Sequence, residues 1–420
     1  MPSASVIVFG AVAVAAVAAT VQARLRVARR SALFPGRSVE EERALARASG
    51  EGVELTRFFT LAQRLIWGVL QADLIKVDVE AVGRELEREF PRYFAAHLIQ
   101  AFVWRARGEG ARAEDSLRRA RELVRPDEPF AYIMPTDDEW NCVCPRDRLR
   151  EVVPGVVWRF TSYYSHGLAP FLEFSMATVI RLRAGDIVII NPVEFDDEAV
   201  AAIQALGRVT HIVTPTKFHN LFIERARQQF PGAKTIGVPG HRGNPPSASI
   251  AFDGFLDDAS PLFPGELDQI TIRGNEIEEV FLLHRDTRTL IVHDILFFNL
   301  VSGSGEGAPR YPFWWRLYAW VWGVHDTITL PAYQVMMWTQ FWRFRASLRA
   351  VLRWDVERIA SAHGPWDEAP TGGSARLQSI CGWVAELSML EYLVMVTRFF
   401  RRQPGFLRDL LRFLVAQKLR

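Results

Sequence analysis

Cysteine is scarce in this chain of 420 residues, which carries three. Three thiols cannot build a disulfide framework. Cys142 and Cys144 stand one residue apart, a spacing that fits neither a redox C-x-x-C pair nor a zinc pair, so reduced thiols in a reducing compartment are expected. Net charge is nearly absent too: 50 basic against 48 acidic residues leave +2, which makes no case for nucleic acid as a partner. Acidic residues are missing before Glu40, whereas Arg24, Arg26, Arg29, Arg30 and Arg37 precede it. No G-x-S-x-G elbow occurs, and the Gly-rich stretch 302–307 is not followed by the Lys-Ser/Thr that a phosphate cradle needs. Serine-hydrolase and P-loop chemistry are set aside on these grounds. Hydrophobic residues at 49% suit a folded protein and not a polytopic membrane one.

What is present begins with an uncharged N-terminus. Residues 3–23 carry no charge, and 6–19 are an unbroken Val/Ala/Gly/Phe/Ile run. That length reaches a membrane span. The basic cluster Arg24 to Arg30 follows it and no Lys or Arg precedes it, which by the positive-inside rule places the main domain on the cytoplasmic side. Residues 1–30 are therefore expected to be a membrane anchor or targeting segment. A signal peptide cleaved after Val21-Gln22-Ala23 (an exported protein) and an Arg-rich organelle transit peptide are the alternatives.

Residues 38–130 read as helical. Ala101, Trp104, Gly108, Ala113, Leu117 and Ala120 occupy the small, aromatic and turn positions of one tetratricopeptide-like hairpin. After Pro135 the pattern changes. Segments 153–160, 174–182, 186–192, 211–214, 234–238, 269–272, 279–284 and 290–293 are rich in Val, Ile and Phe and read as strands. Helices are expected over 197–206 and 221–230. Strands, then alternating β and α, then strands again predict an α/β fold with sheets sandwiched between helices. Residues 311–344 hold six of the thirteen tryptophans and read as core or lid helices, or as a lipid-facing surface. The tail, 374–420, reads as two helices; Leu407, Leu410, Leu411 and Leu414 share one face of the last, with Arg408 and Arg412 opposite.

Five segments carry a family resemblance: Thr178-Val-Ile-Arg-Leu, Thr214-Pro-Thr-Lys-Phe-His-Asn, Asn275-Glu276 with Phe281-Leu-Leu-His284, Thr289-Leu-Ile-Val-His-Asp294, and Ile359-Ala-Ser-Ala-His-Gly364. In them residues 151–367 resemble a divergent branch of the metallo-β-lactamase-fold superfamily, which implies an αββα sandwich. In that superfamily a T-H-x-H-x-D-H loop, a later His, a bridging Asp and a final His hold two zinc or iron ions. Here Pro215 and Lys217 stand at the first two histidines, His219 at the aspartate and Asn220 at the last histidine. The third motif's histidine is replaced near Asn275 or Glu276, while Asp294 and His363 match.

The resemblance thus implies a reduced site. His219, Asp294 and His363 form a competent set for at most one Zn²⁺ or Fe²⁺ and are expected to converge at one edge of the strands. Glu276 or His284 would orient a water or shuttle protons. Alternatively His284, like His293, is a strand residue satisfied by backbone carbonyls. Two functions remain open. One is a membrane-tethered, single-metal hydrolase acting on a small-molecule ester, thioester, lactone or phosphodiester. The other is a non-catalytic descendant that serves as a membrane-associated binding or scaffold module for a protein partner.

Overall fold

Helical spacing of apolar residues builds the first part of the chain. Helix α1 (Leu55–Leu70) is followed by α2 (Val79–Glu89), which opens on Asp78, whose side chain accepts the Ala81 N–H at 2.9 Å. Pro91 separates α2 from α3 (Phe94–Ala106). Every residue of α3 from Phe94 to Trp104 is buried, so α3 is the central helix, with α4 (Gly110–Leu123) folded back on it. The turn between them needs a left-handed residue, and Gly108 supplies it at φ +78°. Ala101, Ala113, Leu117 and Ala120 are buried in this hairpin, and the Arg112 guanidinium lies 3.6 Å over the Trp104 ring.

The computed structural model describes residue 23 and residues 55–70, 77–125, 130–142, 149–165, 172–244, 247–275, 277–297, 311–322, 327–328, 340–364 and 372–402. They divide into two compact units. One comprises 1–131, 321–323 and 386–420; the other comprises 132–320 and 324–385.

The second unit holds two main sheets. Strands β1 (Arg150–Val153), β2 (Val157–Ser165), β3 (Leu172–Arg181) and β4 (Ile187–Ile190) form an antiparallel meander. From β4 onward the pairing turns parallel through β5 (Val209–Val213), β6 (Lys234–Gly237) and β7 (Gly254–Phe255), as helical crossovers require. Those crossovers are α5 (Asp197–Leu206), capped by Asp196, and α6 (Ile223–Gln229). Their apolar faces close over Trp158, Phe160, Val179, Ile189 and Ile212.

The other sheet runs β13-β10-β9-β8, from β8 (Leu267–Thr271), β9 (Val280–His284), β10 (Thr289–Val292) and β13 (Arg358–Ser361); β10 and β13 are parallel. A short pair, β11 (Leu296–Phe297) with β12 (Thr327–Ile328), stands apart. Every residue of β4, β9 and β10 is buried, as strands covered on both faces must be. Backbone bonds from Met176 N–H to the Ala362 carbonyl (3.2 Å) and from Val280 N–H to the Pro215 carbonyl (2.8 Å) stitch the sheets together. Helices α7 (Phe313–Trp322), α8 (Phe341–Val351) and α9 (Gly373–Glu386) complete the unit's helical cover, and α10 (Met389–Arg402) follows. The result is the expected αββα sandwich.

Helix α5 occupies its predicted bounds. The strand expected at 153–160 is instead two, because Gly155, at φ +69°, reverses the chain between β1 and β2. In the aromatic stretch, Trp320 and Trp322 of α7 are buried, as core residues are. The N-terminal run (apart from Ala23) and the amphipathic stretch 407–414 lie outside the described residues. Among the described residues no single helix is long and apolar enough to cross a membrane.

Candidate metal centre

Strand direction decides which loops meet. Asn191 follows β4, the 214–220 loop follows β5, Asp294 follows β10 and His363 follows β13. Parallel pairing of β4 with β5, and of β10 with β13, sends each pair of carboxyl ends out on one side, where open α/β sheets place their ligands. His219, Asp294 and His363 meet there. His219 Nε2 lies 3.1 Å from Asp294 Oδ1 and 3.0 Å from His363 Nε2, and His363 Nε2 lies 3.4 Å from Asp294 Oδ1.

The neighbours fix the protons. The Asn191 amide nitrogen donates to Met176 O at 2.7 Å and to Ser175 Oγ at 3.0 Å, so its oxygen is the acceptor facing His219 Nδ1 at 2.6 Å. His219 therefore carries its proton on Nδ1, and in the neutral ring Nε2 is a bare lone pair. That lone pair faces a carboxylate oxygen and a second imidazole nitrogen, an arrangement that needs a cation or an extra proton between them. Thr216 Oγ1 donates to the other Asp294 oxygen at 3.0 Å. Asp294 is aimed from below as well: the buried Glu279 carboxylate accepts the N–H groups of His293, Asp294 and Ile295 at 2.6, 2.8 and 2.7 Å. On the far side Trp315 stacks on the His363 ring, with centroids 5.4 Å apart.

Charge follows from this packing. Burial opposes ionisation of Asp294, but the His219 charge and the His219 and His363 hydrogen bonds outweigh it and hold the carboxyl well below the usual range. Burial pushes His363 down, with Asp294 opposing, which keeps a lone pair available at neutral pH. Burial and the Asp294 charge push Glu279 up, while its three N–H donors pull it back.

The donor set fits a small tetrahedral ion. Ligands 2.0–2.2 Å from such an ion stand about 3.3 Å apart, and the three observed separations straddle that value. His219 with its outer nitrogen held by an amide oxygen, and Asp294 with its second oxygen held by a hydroxyl, are oriented as metal ligands usually are. Among the described residues this is the one cluster of three such donors.

The other predicted residues are placed elsewhere. Glu276 lies outside the described residues. His284, expected to orient a water or shuttle protons, is not brought to the cluster of His219, Asp294 and His363. It pairs with Thr289 at the closed end of the β9–β10 hairpin, five residues from Asp294 and thus about 16 Å away along an extended chain. Its Nδ1 bonds to Thr287 Oγ1 at 2.8 Å, a hydroxyl and not a backbone carbonyl. His293 is buried with Nδ1 unpartnered, 3.7 Å from Glu279, so it too lacks the carbonyl partner expected there. Asn220 ties down its own loop by donating to Lys217 O, and Asn275 caps the turn at Ile277 and Glu278. Sequence reasoning missed Asn191, Thr216 and Glu279. The one signal for Glu279 was a carboxylate at the head of the apolar run 280–283; for Asn191 it was an asparagine closing the apolar strand β4.

Comparison with known proteins places residues 154–299 in a family model described as a domain of unknown function, DUF4336. Among curated proteins none matches the chain. Among solved structures it is similar to a metallo-β-lactamase from Pontibacter korlensis (13% identity, 58% of this chain and 100% of that one, TM-score 0.38). It is also similar to a metallo-β-lactamase from Hirschia baltica (10%, 58% and 100%, 0.39) and to the FIM-1 enzyme of Pseudomonas aeruginosa in its mono-zinc form (11%, 57% and 95%, 0.39).

Proposed function

We propose that this protein is a single-metal hydrolase whose centre is His219, Asp294 and His363, acting on an ester, thioester, lactone or phosphodiester. The observation that carries this reading is the convergence of two imidazole Nε2 atoms and one carboxylate oxygen within 3.4 Å of one another. Zn²⁺ or Fe²⁺ held there supplies Lewis acidity that makes water nucleophilic near neutral pH. Asn191 and Thr216 keep the ligands aimed. Phe218 and Leu221, 45% and 49% exposed on either side of His219, offer an apolar rim to an acyl group, so esters and lactones are the first substrates to try.

Elemental analysis of the purified full-length protein tests this. One equivalent of Zn²⁺ or Fe²⁺ is expected, lost in Asp294→Ala and His363→Ala together with hydrolysis of p-nitrophenyl esters. No metal after loading with either ion rejects the hydrolase and favours the second reading, a binding module. A protonated His219 at 3.1 Å from Asp294 would then hold the same triangle together without an ion.

Membrane attachment is part of the proposal and rests on the sequence, through the uncharged 3–23 run, the arginines behind it and the basic amphipathic end. Each basic residue near an anionic surface adds on the order of 1 kcal/mol. Full-length protein should co-sediment with phosphatidylserine vesicles, and deletion of 1–37 should reduce that binding and make it fall with salt. A full-length protein that stays in the supernatant at low salt rejects the attachment.

A further inference from the structure

The β2–β3 hairpin lies towards the same end of the sheet as the metal centre, because β3 runs antiparallel to β4 and its residues 172–177 extend past Ile190, the last residue of β4. At that end Tyr164 and Glu173 stand directly opposite each other across the ladder, so their side chains share one face. Ser175, two residues along on the same face, touches Asn191, the residue that holds His219. The Trp315 indole N–H donates to one Glu173 oxygen at 2.8 Å, while the same ring lies flat on His363. One indole thus joins Glu173 to a ligand of the centre. Among the described residues the second Glu173 oxygen and the Tyr164 hydroxyl have no hydrogen-bond partner, and no cation pairs with Glu173. Neither atom is sealed from solvent, so a carboxyl oxygen and a phenol stand open to a bound molecule beside the centre.

We infer that Glu173 is the general acid–base of this site, with Tyr164 beside it as a neutral hydrogen-bond donor to substrate. The inference rests on the hydrolase reading. In the step, the water oxygen bonds to the carbonyl or phosphoryl centre as the Glu173 carboxylate takes one water proton. The same proton then passes to the leaving-group oxygen or sulfur as that bond breaks, which restores the carboxylate, and no other reactant is consumed. The groups facing Glu173 are Tyr164 from β2 and Trp315 from α7; the Asp294 charge reaches Tyr164 as well. Burial pushes the Glu173 carboxyl up to about 7, against the pull of the Trp315 N–H, which suits it to exchange protons near neutral pH. Burial, then the Glu173 and Asp294 charges, push the Tyr164 phenol up, so it remains a donor.

The test compares zinc-loaded full-length wild type with Glu173→Gln and Trp315→Phe. The readouts are pH–rate profiles on p-nitrophenyl acetate and bis(p-nitrophenyl) phosphate, and tryptophan-fluorescence titrations of the same proteins without substrate. Wild type should show an ascending rate limb and a fluorescence step, both near pH 7. Glu173→Gln should lose both and fall about 100-fold in rate while still binding one zinc. Trp315→Phe keeps a flat ring but removes the donor, so its limb should move to higher pH, a shift that a packing role would not produce. If Glu173→Gln keeps the limb and the rate, or wild type shows no fluorescence step near pH 7, the acid–base role is overturned and the hydrolase reading stands. If zinc binds but wild type turns over neither probe, the hydrolase reading falls and this inference falls with it.

Discussion

Asn191 and Glu279 do for the centre what no ligand does for itself. Asn191 sits at φ +58°, a left-handed position that asparagine tolerates, and from there its amide bridges β3 to His219. Glu279 gathers three successive N–H groups that would otherwise be buried without acceptors, and in doing so fixes the turn that carries Asp294. Replacing Asn191 by Gly keeps the backbone free to adopt its angle and removes only the bridge. Zinc affinity should then fall about 10- to 100-fold, as is usual when a ligand's outer partner is lost. Glu279→Gln, which sets an NH₂ against backbone donors, should weaken zinc binding similarly. Competition with a chelating dye measures both, and unchanged affinity in the two variants would show that the ligands are held by packing alone.

Helix α7 is the element on which the second half of the site depends, because it carries Trp315. The neighbouring Arg316 anchors it: the guanidinium meets Glu139 at 2.5 Å and donates to the carbonyls of Tyr132 (2.8 Å) and Met134 (3.1 Å). Glu139 belongs to a capping box with Thr136. Both side chains are about nine-tenths buried. Arg316→Met removes the guanidinium that meets the buried Glu139 carboxylate, so urea unfolding should register a loss of about 3–5 kcal/mol. The double variant Arg316→Met with Glu139→Met should recover part of that loss. A single-variant loss within the range of an exposed ion pair, under about 1 kcal/mol, would mean that α7 is held by its apolar face alone.

Across the whole molecule, buried or half-buried histidines and a half-buried carboxyl set opposing responses to acid. His241 is buried, bonds Ser247 Oγ at 2.9 Å and stacks on Phe252; burial, opposed by its bond at Thr214 and aided by the Lys217 charge, pushes it from 6.5 to about 4. Its folded value lies below its unfolded one, so its contribution is complete above pH 6.5 and is lost as pH falls towards 4, up to about 3 kcal/mol. His211 and His284, lowered by burial, act in the same direction. Glu173 acts in the opposite direction. Its folded value lies above the unfolded 4.5, so its contribution is complete below 4.5 and is lost as pH rises through about 7. Urea-unfolding stability followed from pH 7 to 4.5 should therefore decline less in His241→Gln and more in Glu173→Gln than in wild type. Equal slopes in all three would place the acid response on other groups.

The sequence by itself determined the elements. Alanines 101, 113 and 120 with Gly108 specify a helix hairpin, because close approach of two helices is written in local spacing. Val, Ile and Phe runs ending at Gly or Pro likewise mark most of the strands. It also put forward His219, Asp294 and His363 as candidate ligands. What it could not say is that these residues meet, since His219 lies 75 and 144 residues from the other two. Nor could it show that His284, ten residues from Asp294, lies at the wrong end of its strand. The roles of Asn191, Thr216, Glu279 and Glu173 could not be read from the sequence for the same reason: each acts through a partner on another strand or helix. Local pattern fixes which face of an element is apolar, whereas strand order and parallel or antiparallel sense fix which ends come together. Those are properties of the folded sheets, and they alone brought the centre into being.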